Sequence, residues 1–487
     1  MKHPPRLTAR ARARARARVR ASVLPLPLPR ALVLALATGA CASTKPTEAR
    51  RDVGDQLAAR GGPRDVITPE QDARSREEVR ARVDALLAEP LTEEHALQVA
   101  LLNNHDLLAT LEDLGVAQSE LVAAGLLDNP VLGGDLVIST RGYGLGGGLA
   151  LSQSLLSAFL VPAKRRLAAL QLEMAVVGVT DAALALVRDV KVAYAEAQAA
   201  RASLRLHRTL AQAAEVADEL SQRQHEAGNL PDLDRGLFAS ALDEARLHRS
   251  EAQLQWVEAR EQLNRRLGLW GPRVGWTLAG DALPEPPARE ADLSALEQAG
   301  IEQRLDVSAA RYEVESMQRA LELRRRGLVP DIEAGVEARN EVGDDEGHEW
   351  VVGPSLSIEL PLFDPGHADL ARLRAQLRQS EHRLQQRAIE ARSHIRVQRE
   401  RLVIARRRVQ YLAETVLPRW ETLSARALER YNGMLLGAYD LLDLREEALR
   451  VRQDHIEALR DYWVARAELE RAVGGRLPEA RGDGPPG

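Results

Sequence analysis

The chain has 487 residues, a formal net charge of −5 and an aromatic content of only 3%, with three phenylalanines. So few large apolar rings in a long chain argue against a series of compact globular cores and favour elongated helical packing. The charge is unevenly divided, because the first forty residues contain Lys2 and eight arginines without any acidic residue; the acidic remainder argues against nucleic acid as a partner.

The N-terminal segment has the features of an export signal. A basic region precedes an apolar run of about ten residues, too short to span a membrane as a helix, and small residues follow before Cys41. Cys41 is the only cysteine, so no disulfide can form within one chain. Its position resembles the lipobox of bacterial lipoproteins, which implies lipidation of the Cys41 thiol. The alternative is a cysteine that merely lies within the signal.

Two halves of the chain repeat one pattern. The stretch "GLLDNP" from Gly125 is echoed by "GLVP" from Gly327, and "REQLNRRLG" ending at Gly268 is echoed by "RAELERAVG" ending at Gly474. A duplicated unit of roughly 200 residues is therefore predicted. Each half has the order helix, two short alternating stretches, very long helix, glycine-containing turn and second long helix.

This repeat sets the predicted organisation of the chain. A linker follows the signal, a proline-rich segment joins the two halves, and a polar tail ends the chain. The predicted ranges are 1–40 for the signal peptide, 41–90 for the lipid-anchored N-terminal linker, 91–270 for the first repeat with a β-hairpin at about 131–155, 271–292 for the inter-repeat linker, 293–475 for the second repeat with a β-hairpin at about 331–360, and 476–487 for a disordered tail.

The long helices are predicted from their periodicity and from their prolines. No proline lies between Pro162 and His225, which predicts a helix on the order of 95 Å long at about 1.5 Å per residue. Pro418 interrupts the equivalent helix of the second half and predicts a kink or a short break there. An apolar stripe of the coiled-coil kind precedes it, at Leu370, Leu373, Leu377, Ser380, Leu384, Ala388, Ala391 and Ile395.

The alternating stretches predict strands with one apolar face. Ile332 and Val336 lie opposite Glu333, and Leu132 lies opposite Asp135. Lengths near ten with this alternation are typical of transmembrane β-strands, but two soluble hairpins lying on the helices would show the same pattern. Because four strands cannot close a barrel, a membrane barrel would require several copies of the chain.

Three motifs in order carry a family resemblance. They are "LSIELPLFDPGHADLARLRAQL" from Leu356, "VLPRW", and "RYNGMLLGAYDLLDL" from Arg430. From about Leu91 to Gly474 the chain resembles the TolC family of outer-membrane efflux channels. In the first half, "SLLSAFLVPAKRRLAAL" is similar to a segment of members that serve heavy-metal efflux, with Ala163 where those members have glycine.

The resemblance implies a fold, a function and partners. The fold would be mainly α with a small β part, in which duplicated long α-hairpins form a trimeric α-barrel and two β-hairpins per protomer contribute to a 12-stranded transmembrane β-barrel. The chain would be a passive, lipid-anchored outer membrane channel subunit with a periplasmic extension, which exports small toxic compounds or metal ions. Its partners would be two further copies, outer membrane lipid, a periplasmic adaptor and an inner-membrane pump of the RND type; nucleic acid, a cofactor and a bound metal are not expected.

The resemblance also implies roles for individual residues. Asp440 and Asp443 match an aspartate pair that lines the narrowest constriction of the channel, and Asp234 matches an aspartate that helps to hold the tip closed. Further implied positions are Gly228, Asn229, Asn432 and Gly433 in the periplasmic hairpin turns that contact the adaptor, and Pro361, Phe363, Asp364 and Gly366 in the strand-to-helix turn.

The aspartate pair has two physical interpretations. In a trimer, six carboxylates would meet at one axis, where like charges about 4 Å apart repel by roughly 4 kcal/mol at an effective dielectric constant of 20, and such a ring attracts cations. Alternatively, Asp440 caps the following helix and Asp443 lies in its first turn, where both interact favourably with the helix dipole.

Two other classes of protein share parts of this pattern. A periplasmic adaptor lipoprotein also has a signal, a lipobox and a coiled-coil hairpin, and a structural envelope coiled-coil protein has long helices. An adaptor, however, has one hairpin flanked by β-rich domains, and an envelope coiled coil needs no amphipathic hairpins in both halves. The sequence has no nucleophile with a base, no acid and base pair and no zinc-type spacing, so an enzyme is not expected.

Overall fold

The computed structural model describes most of the chain. The predicted signal peptide, Cys41 and the end of the predicted tail lie outside the described residues. The described residues are 44–63, 73–138, 145–280, 282–287, 296–342 and 348–477.

Helices make up most of the described residues, and the fold is mainly α with a small β part, as predicted. A π-helical turn, Leu412–Val416, and a 3-10 turn, Gly271–Gly275, occur beside the α-helices. The described α-helices are α1 Thr47–Ala59, α2 Ala73–Ala88, α3 Glu93–Asn103, α4 His105–Ala124, α5 Leu155–Glu226, α6 Asp232–Leu267, α7 Leu296–Gln303, α8 Leu305–Arg326, α9 His367–Tyr411, α10 Leu417–Asn432 and α11 Ala438–Val473.

The four described strands form one antiparallel sheet in chain order. The outer edges of the first and last strands have no strand partner in the described part of the chain. The strands are β1 Val131–Ile138, β2 Leu145–Ser154, β3 Ile332–Val342 and β4 His348–Ile358.

The two faces of the sheet differ as the alternation predicted. Leu132 pairs with Leu151, and Leu151 pairs with Val336, so these side chains share one apolar face. The apolar face is open to the surroundings, since Leu132 is 71% exposed and Leu356 is 67% exposed. A contiguous apolar surface of this kind is unusual on a soluble monomer and marks a contact with lipid or protein.

The duplication is visible in the order of the elements. Helix α4 leads through β1 and β2 into the hairpin of α5 and α6, and α8 leads through β3 and β4 into the hairpin of α9, α10 and α11. Next to the sheet, α4 packs against α5, α5 against α8, and α8 against α9. The helices therefore follow the order of the strands, with α4 and α9 at the two edges.

Helix α5 has 72 residues and is about 108 Å long at 1.5 Å per residue. It begins at Leu155, seven residues before Pro162, so the expectation that the helix starts at the proline is wrong. The Ser154 side chain accepts a hydrogen bond from the Ser157 N–H at 3.1 Å and caps the earlier start. Pro162 deprives the Ala158 carbonyl of its helical donor, but Ala158 is exposed, so water can replace that donor.

Helix α5 is also the one described helix that is long and apolar enough to cross a membrane, judged by length and composition. Of its most apolar stretch, 44% is buried inside the chain. Core helices of soluble proteins pass the same test, so this property alone is weak support for a helical membrane span.

Near Pro418 the second hairpin changes its helical hydrogen-bond pattern, whereas the sequence predicted a kink or a short break; the helical backbone itself continues. Helix α9 ends at Tyr411, the π-helical turn follows, and α10 begins with Pro418 in its first turn. A proline has no N–H to donate, and it is best tolerated at the first helical positions. The wider turn before it absorbs the mismatch between the two helical segments.

Segments outside the long helices gather at their middle. The Tyr194 hydroxyl of α5 donates to the Leu91 carbonyl at 2.9 Å, and Leu91 forms an isolated β-bridge with Leu278. Burial, and then the nearby Glu93 carboxylate, raises the pKa of Tyr194 to about 12, so this donor keeps its proton. The inter-repeat segment is held to α11 by Trp463, whose indole N–H donates to the Pro284 carbonyl at 2.8 Å.

Both repeats end at a left-handed glycine that touches the backbone of its own repeat. Gly268 follows α6 with φ +68°, and a Cβ there would lie within 3 Å of the Asn103 carbonyl oxygen. Gly474 follows α11 with φ +86°, and a Cβ there would lie 3.1 Å from the backbone of Arg304. The repeated glycine is therefore explained by a left-handed cap and by a close backbone approach.

Candidate functional site at the hairpin tips

The first hairpin tip closes with a glycine. Gly228 has φ +77°, and the Asn229 N–H donates to the Gln224 carbonyl at 2.8 Å. This is the hydrogen bond of a Schellman motif, in which a left-handed residue lets the chain leave the helix. Gly228 and Asn229 both lie in the turn and are exposed.

The second tip has the same hydrogen bonds but a different residue at the left-handed position. The Leu435 N–H donates to the Arg430 carbonyl at 2.8 Å, which matches the bond of the first tip. Asn432 ends α10, and Gly433 has an ordinary φ of −83°. Met434 takes the left-handed conformation with φ +57°, and it is the one described residue other than glycine with positive φ. Gly433 therefore lies one position before the left-handed position of the turn, which is occupied by Met434.

Replacing Met434 by glycine is expected to raise the free energy of unfolding by up to about 1.5 kcal/mol. A left-handed residue with a side chain costs roughly 1–2 kcal/mol, and the greater freedom of glycine in the unfolded chain offsets roughly 0.5–1 kcal/mol of that gain. The Met434 side chain is 94% exposed, so little packing is lost. Chemical denaturation of the purified protein measures the effect, with Gly228→Met as the reciprocal variant. A loss of stability in Met434→Gly would contradict the argument.

The predicted aspartate pair lies at the start of α11. Gly437 is the N-cap and offers no side chain to the helix, and Asp440 lies in the first turn. An Asp440 carboxylate oxygen lies 3.5 Å from the position that a Cβ on Gly437 would occupy, so the carboxylate turns back toward the helix N-terminus. Asp443 lies one turn further on, and both aspartates are exposed. The interpretation of Asp440 as the cap and Asp443 as a first-turn residue is therefore wrong, although Asp440 does interact favourably with the helix dipole.

Asp234 lies in the first turn of α6, and it is half-buried. Burial raises the pKa of the Tyr431 hydroxyl, the Asp234 carboxylate raises it further, and the Arg445 guanidinium opposes the shift. Charges from both tips of one protomer thus act on Tyr431, and we call Asp234, Tyr431 and Arg445 the tip cluster, although in the described part of the chain no hydrogen bond or ion pair joins them. Sequence reasoning missed Tyr431 and Arg445, because nothing in the spacing of the residues shows that they approach Asp234.

A groove of about 700 Å³ lies between α5, α6 and α11 next to this cluster. Asp443 lines the groove, whereas Asp440 and Asp234 do not. His207 and His248 also line it, with ring centroids 5.8 Å apart. Burial, and then the neighbouring His248 ring, lowers the pKa of His207. The predicted aspartates therefore have different surroundings in one protomer.

The strand-to-helix turn at the other end of the hairpin is also built around a glycine. Gly366 has φ +79°, its N–H donates to the Asp364 carboxylate at 2.9 Å, and it caps the start of α9. A Cβ at Gly366 would lie 3.1 Å from the Arg324 guanidinium and closer still to Leu328. Pro361 precedes the turn, and the Phe363 ring within it is 100% exposed.

Long duplicated α-hairpins that join a four-stranded sheet with an exposed apolar face are the architecture of a channel-forming efflux protomer. The sequence profile of the outer membrane efflux protein family matches residues 96–269 and 296–475. The chain belongs to this family. Family membership confirms the predicted resemblance and the function of an outer membrane channel subunit in efflux, and it sets aside the adaptor and envelope coiled-coil alternatives.

Individual relatives share most of the chain. The cobalt-zinc-cadmium resistance protein CzcC of Cupriavidus metallidurans is 24% identical over 393 residues, which cover 80% of this chain and 91% of that protein. The fold is similar to that of a membrane protein from Pseudomonas aeruginosa, with a TM-score of 0.66 and 21% identity over 84% of this chain and 92% of that one. It is also similar to the fold of CusC, for which transmembrane channel formation is described, with a TM-score of 0.62 and 17% identity over 81% of this chain and 92% of that one.

Proposed function

We propose that three copies of this chain form a passive conduit through the periplasm and the outer membrane, as the outer component of a tripartite efflux system. The observation that carries the proposal is the four-stranded sheet with two free outer edges and an exposed apolar face. Free strand edges are not tolerated in lipid, because every backbone N–H and C=O there needs a partner. Three copies supply twelve strands, which are enough to close a barrel.

The exposed hairpin turns are proposed to contact a periplasmic adaptor that links the channel to an inner-membrane pump. The turn residues Gly228, Asn229, Asn432 and Gly433 are all exposed at the ends of the hairpins farthest from the sheet. Exposed, regular turns at the end of paired helices suit contact with another helical hairpin.

Metal cations are the cargo that we favour over other small toxic compounds. The relative CzcC is described as a cobalt-zinc-cadmium resistance protein, and it shares most of its length with this chain. Acidic residues also begin the helices that follow both tips, with Asp232 and Asp234 in α6 and Asp440 in α11. Carboxylates gathered at the mouth of a pore raise the local concentration of cations.

A lipid on Cys41 would hold the N-terminus at the membrane. Thr44, three residues beyond Cys41, lies against α4 in a groove with Val116 and Ala123. Three residues span at most about 10 Å, so a diacylglycerol on Cys41 would tie this N-terminal segment closely to a membrane.

Two measurements on the purified protein test the proposal. In planar bilayers it should form cation-selective pores, and its native mass in detergent should be that of a trimer. The mass of the intact mature protein should also match a chain that begins at a diacylated Cys41. A Cys41→Ser protein should lack the added lipid mass. A protein that forms neither trimers nor pores is incompatible with the conduit, and an unmodified Cys41 refutes the anchor alone.

A further inference from the structure

The two helices at the edges of the helical layer carry opposite charge. Helix α4 contains four acidic residues and neither lysine nor arginine. Helix α9 contains twelve arginines and four acidic residues. Within one copy these helices are separated by α5 and α8, so the two charges do not neutralise each other.

Three of the acidic residues of α4 form one stripe, which we call the acidic stripe: Asp106, Asp113 and Glu120. They are seven residues apart, which places them on one side of the helix. All three are exposed, and in the described part of the chain no lysine or arginine forms an ion pair with them. The fourth acidic residue, Glu112, lies outside the stripe and is bound to Arg50 at 2.9 Å.

Helix α9 presents a matching pair next to the sheet, which we call the arginine edge: Arg374 and Arg378. They are four residues apart, which places them on one side of the helix. Both are exposed, while Leu370 and Ser380 of the same helix are buried against the chain. Arg374 and Arg378 form no ion pair with the described residues. Arg372 lies on another side of α9 and is paired with Asp369, which also binds Arg324. This edge therefore keeps an excess of positive charge.

The two sets also lie at similar distances from the helix ends that lead to the sheet. Short connections separate the end of α4 from β1 and the end of β4 from α9, so distances are counted from those helix ends at about 1.5 Å per residue. Glu120 lies about 6 Å from the end of α4, and Arg374 lies about 10 Å from the start of α9. Asp113 and Arg378 both lie at about 16 Å. Antiparallel helices at this level would bring opposite charges together.

We propose that the acidic stripe of one copy binds the arginine edge of the next copy. The inference rests on the proposed trimer and goes further. It states that charge determines which surfaces of two copies meet, and that the spacing of the charges determines how the two helices align along their axes. The same contact brings β1 of one copy beside β4 of the next, where the free strand edges can pair. Complementary charges steer association and exclude wrong pairings, and their effect decreases with ionic strength.

Reversal of charge on one side, and then on both sides, tests this contact. Asp113→Arg/Glu120→Arg and Arg374→Asp/Arg378→Asp should each slow trimer formation from detergent-solubilised monomers by about tenfold at about 50 mM salt, a typical range for steered association. The protein that carries all four substitutions should recover the wild-type rate. The matched control is Asp243→Arg/Glu258→Arg, which reverses two exposed acidic residues of α6 and should leave the rate unchanged.

A cysteine pair gives a second readout that does not depend on rates. In a Cys41→Ser background, Asp113→Cys/Arg378→Cys should form disulfides between copies on oxidation, while Asp243→Cys/Arg378→Cys should not, because a disulfide needs Cβ atoms roughly 3.5–4.5 Å apart. The inference is overturned if the wild-type protein trimerises, all charge-reversal variants trimerise at the same rate, and Asp113→Cys/Arg378→Cys forms no disulfide between copies. That outcome would not affect the proposed channel. A wild-type protein that never trimerises overturns the channel as well.

Discussion

Replacement of Asp440 and Asp443 by alanine is expected to raise the single-channel conductance and to weaken block by divalent cations by about tenfold, which corresponds to about 1.4 kcal/mol of cation binding. Both carboxylates are exposed in the first two turns of α11, and a trimer would present six of them around one axis. Each pair of unit charges about 4 Å apart contributes roughly 1 kcal/mol even in bulk water, so several carboxylates account for an effect of this size.

The measurement is a planar-bilayer recording at low and high divalent cation concentration, with cation selectivity taken from the reversal potential. The matched control is Asp243→Ala/Glu258→Ala, which removes two exposed carboxylates of α6 away from the tips. Loss of Asp440 from a helix N-terminus costs only about 0.3–1 kcal/mol, so the variant should remain folded. Unchanged conductance and unchanged divalent-cation block would mean that the narrowest point of the channel is not formed by Asp440 and Asp443.

Replacement of Gly268 by alanine is expected to lower the free energy of unfolding by about 3 kcal/mol. The left-handed conformation accounts for up to about 1.5 kcal/mol of this loss, after the lost freedom of glycine in the unfolded chain is subtracted. The rest arises because the new methyl group collides with the Asn103 carbonyl, and the Asn103 side chain donates to the carbonyls of Leu267 and Gly268 at 3.0 and 2.8 Å. A shift of Asn103 weakens these hydrogen bonds, each worth about 1 kcal/mol.

Gly280 is the control for this comparison. It has φ +73°, but among the described residues no atom beyond its chain neighbours lies within 4 Å of the position that its Cβ would occupy. Gly280→Ala should therefore show the conformational penalty alone, which is at most about 1.5 kcal/mol after the lost freedom of glycine in the unfolded chain is subtracted. Urea unfolding of the two variants, followed by circular dichroism, separates the two contributions. Equal losses of unfolding free energy in the two variants would mean that Asn103 can shift away from the new methyl group at no energetic cost.

The sequence predicted those parts of the fold that depend on local chemistry. The faces of the strands follow from a period of two, so Leu132 and Val336 share a face in the sheet as expected. The change of helical pattern near Pro418 follows from a missing N–H. Pro162 was misinterpreted because the same loss is tolerated where the freed carbonyl can bond to water.

The site was less accessible to sequence reasoning, since it depends on contacts between distant segments. The left-handed residue of the second tip is Met434, although Gly433 stands beside it, because the hydrogen bonds of the turn fix the position and not the residue type. The charges of Asp234 and Arg445 act on Tyr431 only because the two hairpins pack side by side. Asp440 and Asp443 could be located near a helix start, but which of them faces the groove depended on the packing of α11 against α5 and α6.

The π-helical turn Leu412–Val416 has a mechanical consequence. In the first hairpin, the helix that follows the sheet, α5, is an unbroken α-helix of 72 residues. In the second hairpin, the corresponding helix is interrupted by a turn with wider hydrogen-bond spacing, which is followed by Pro418. A helix resists bending through its regular hydrogen-bond ladder, so stiffness falls where the ladder changes. A force applied at the tips would therefore bend the second hairpin at this turn more readily than it would bend the first. The two duplicated halves thus differ in bending stiffness.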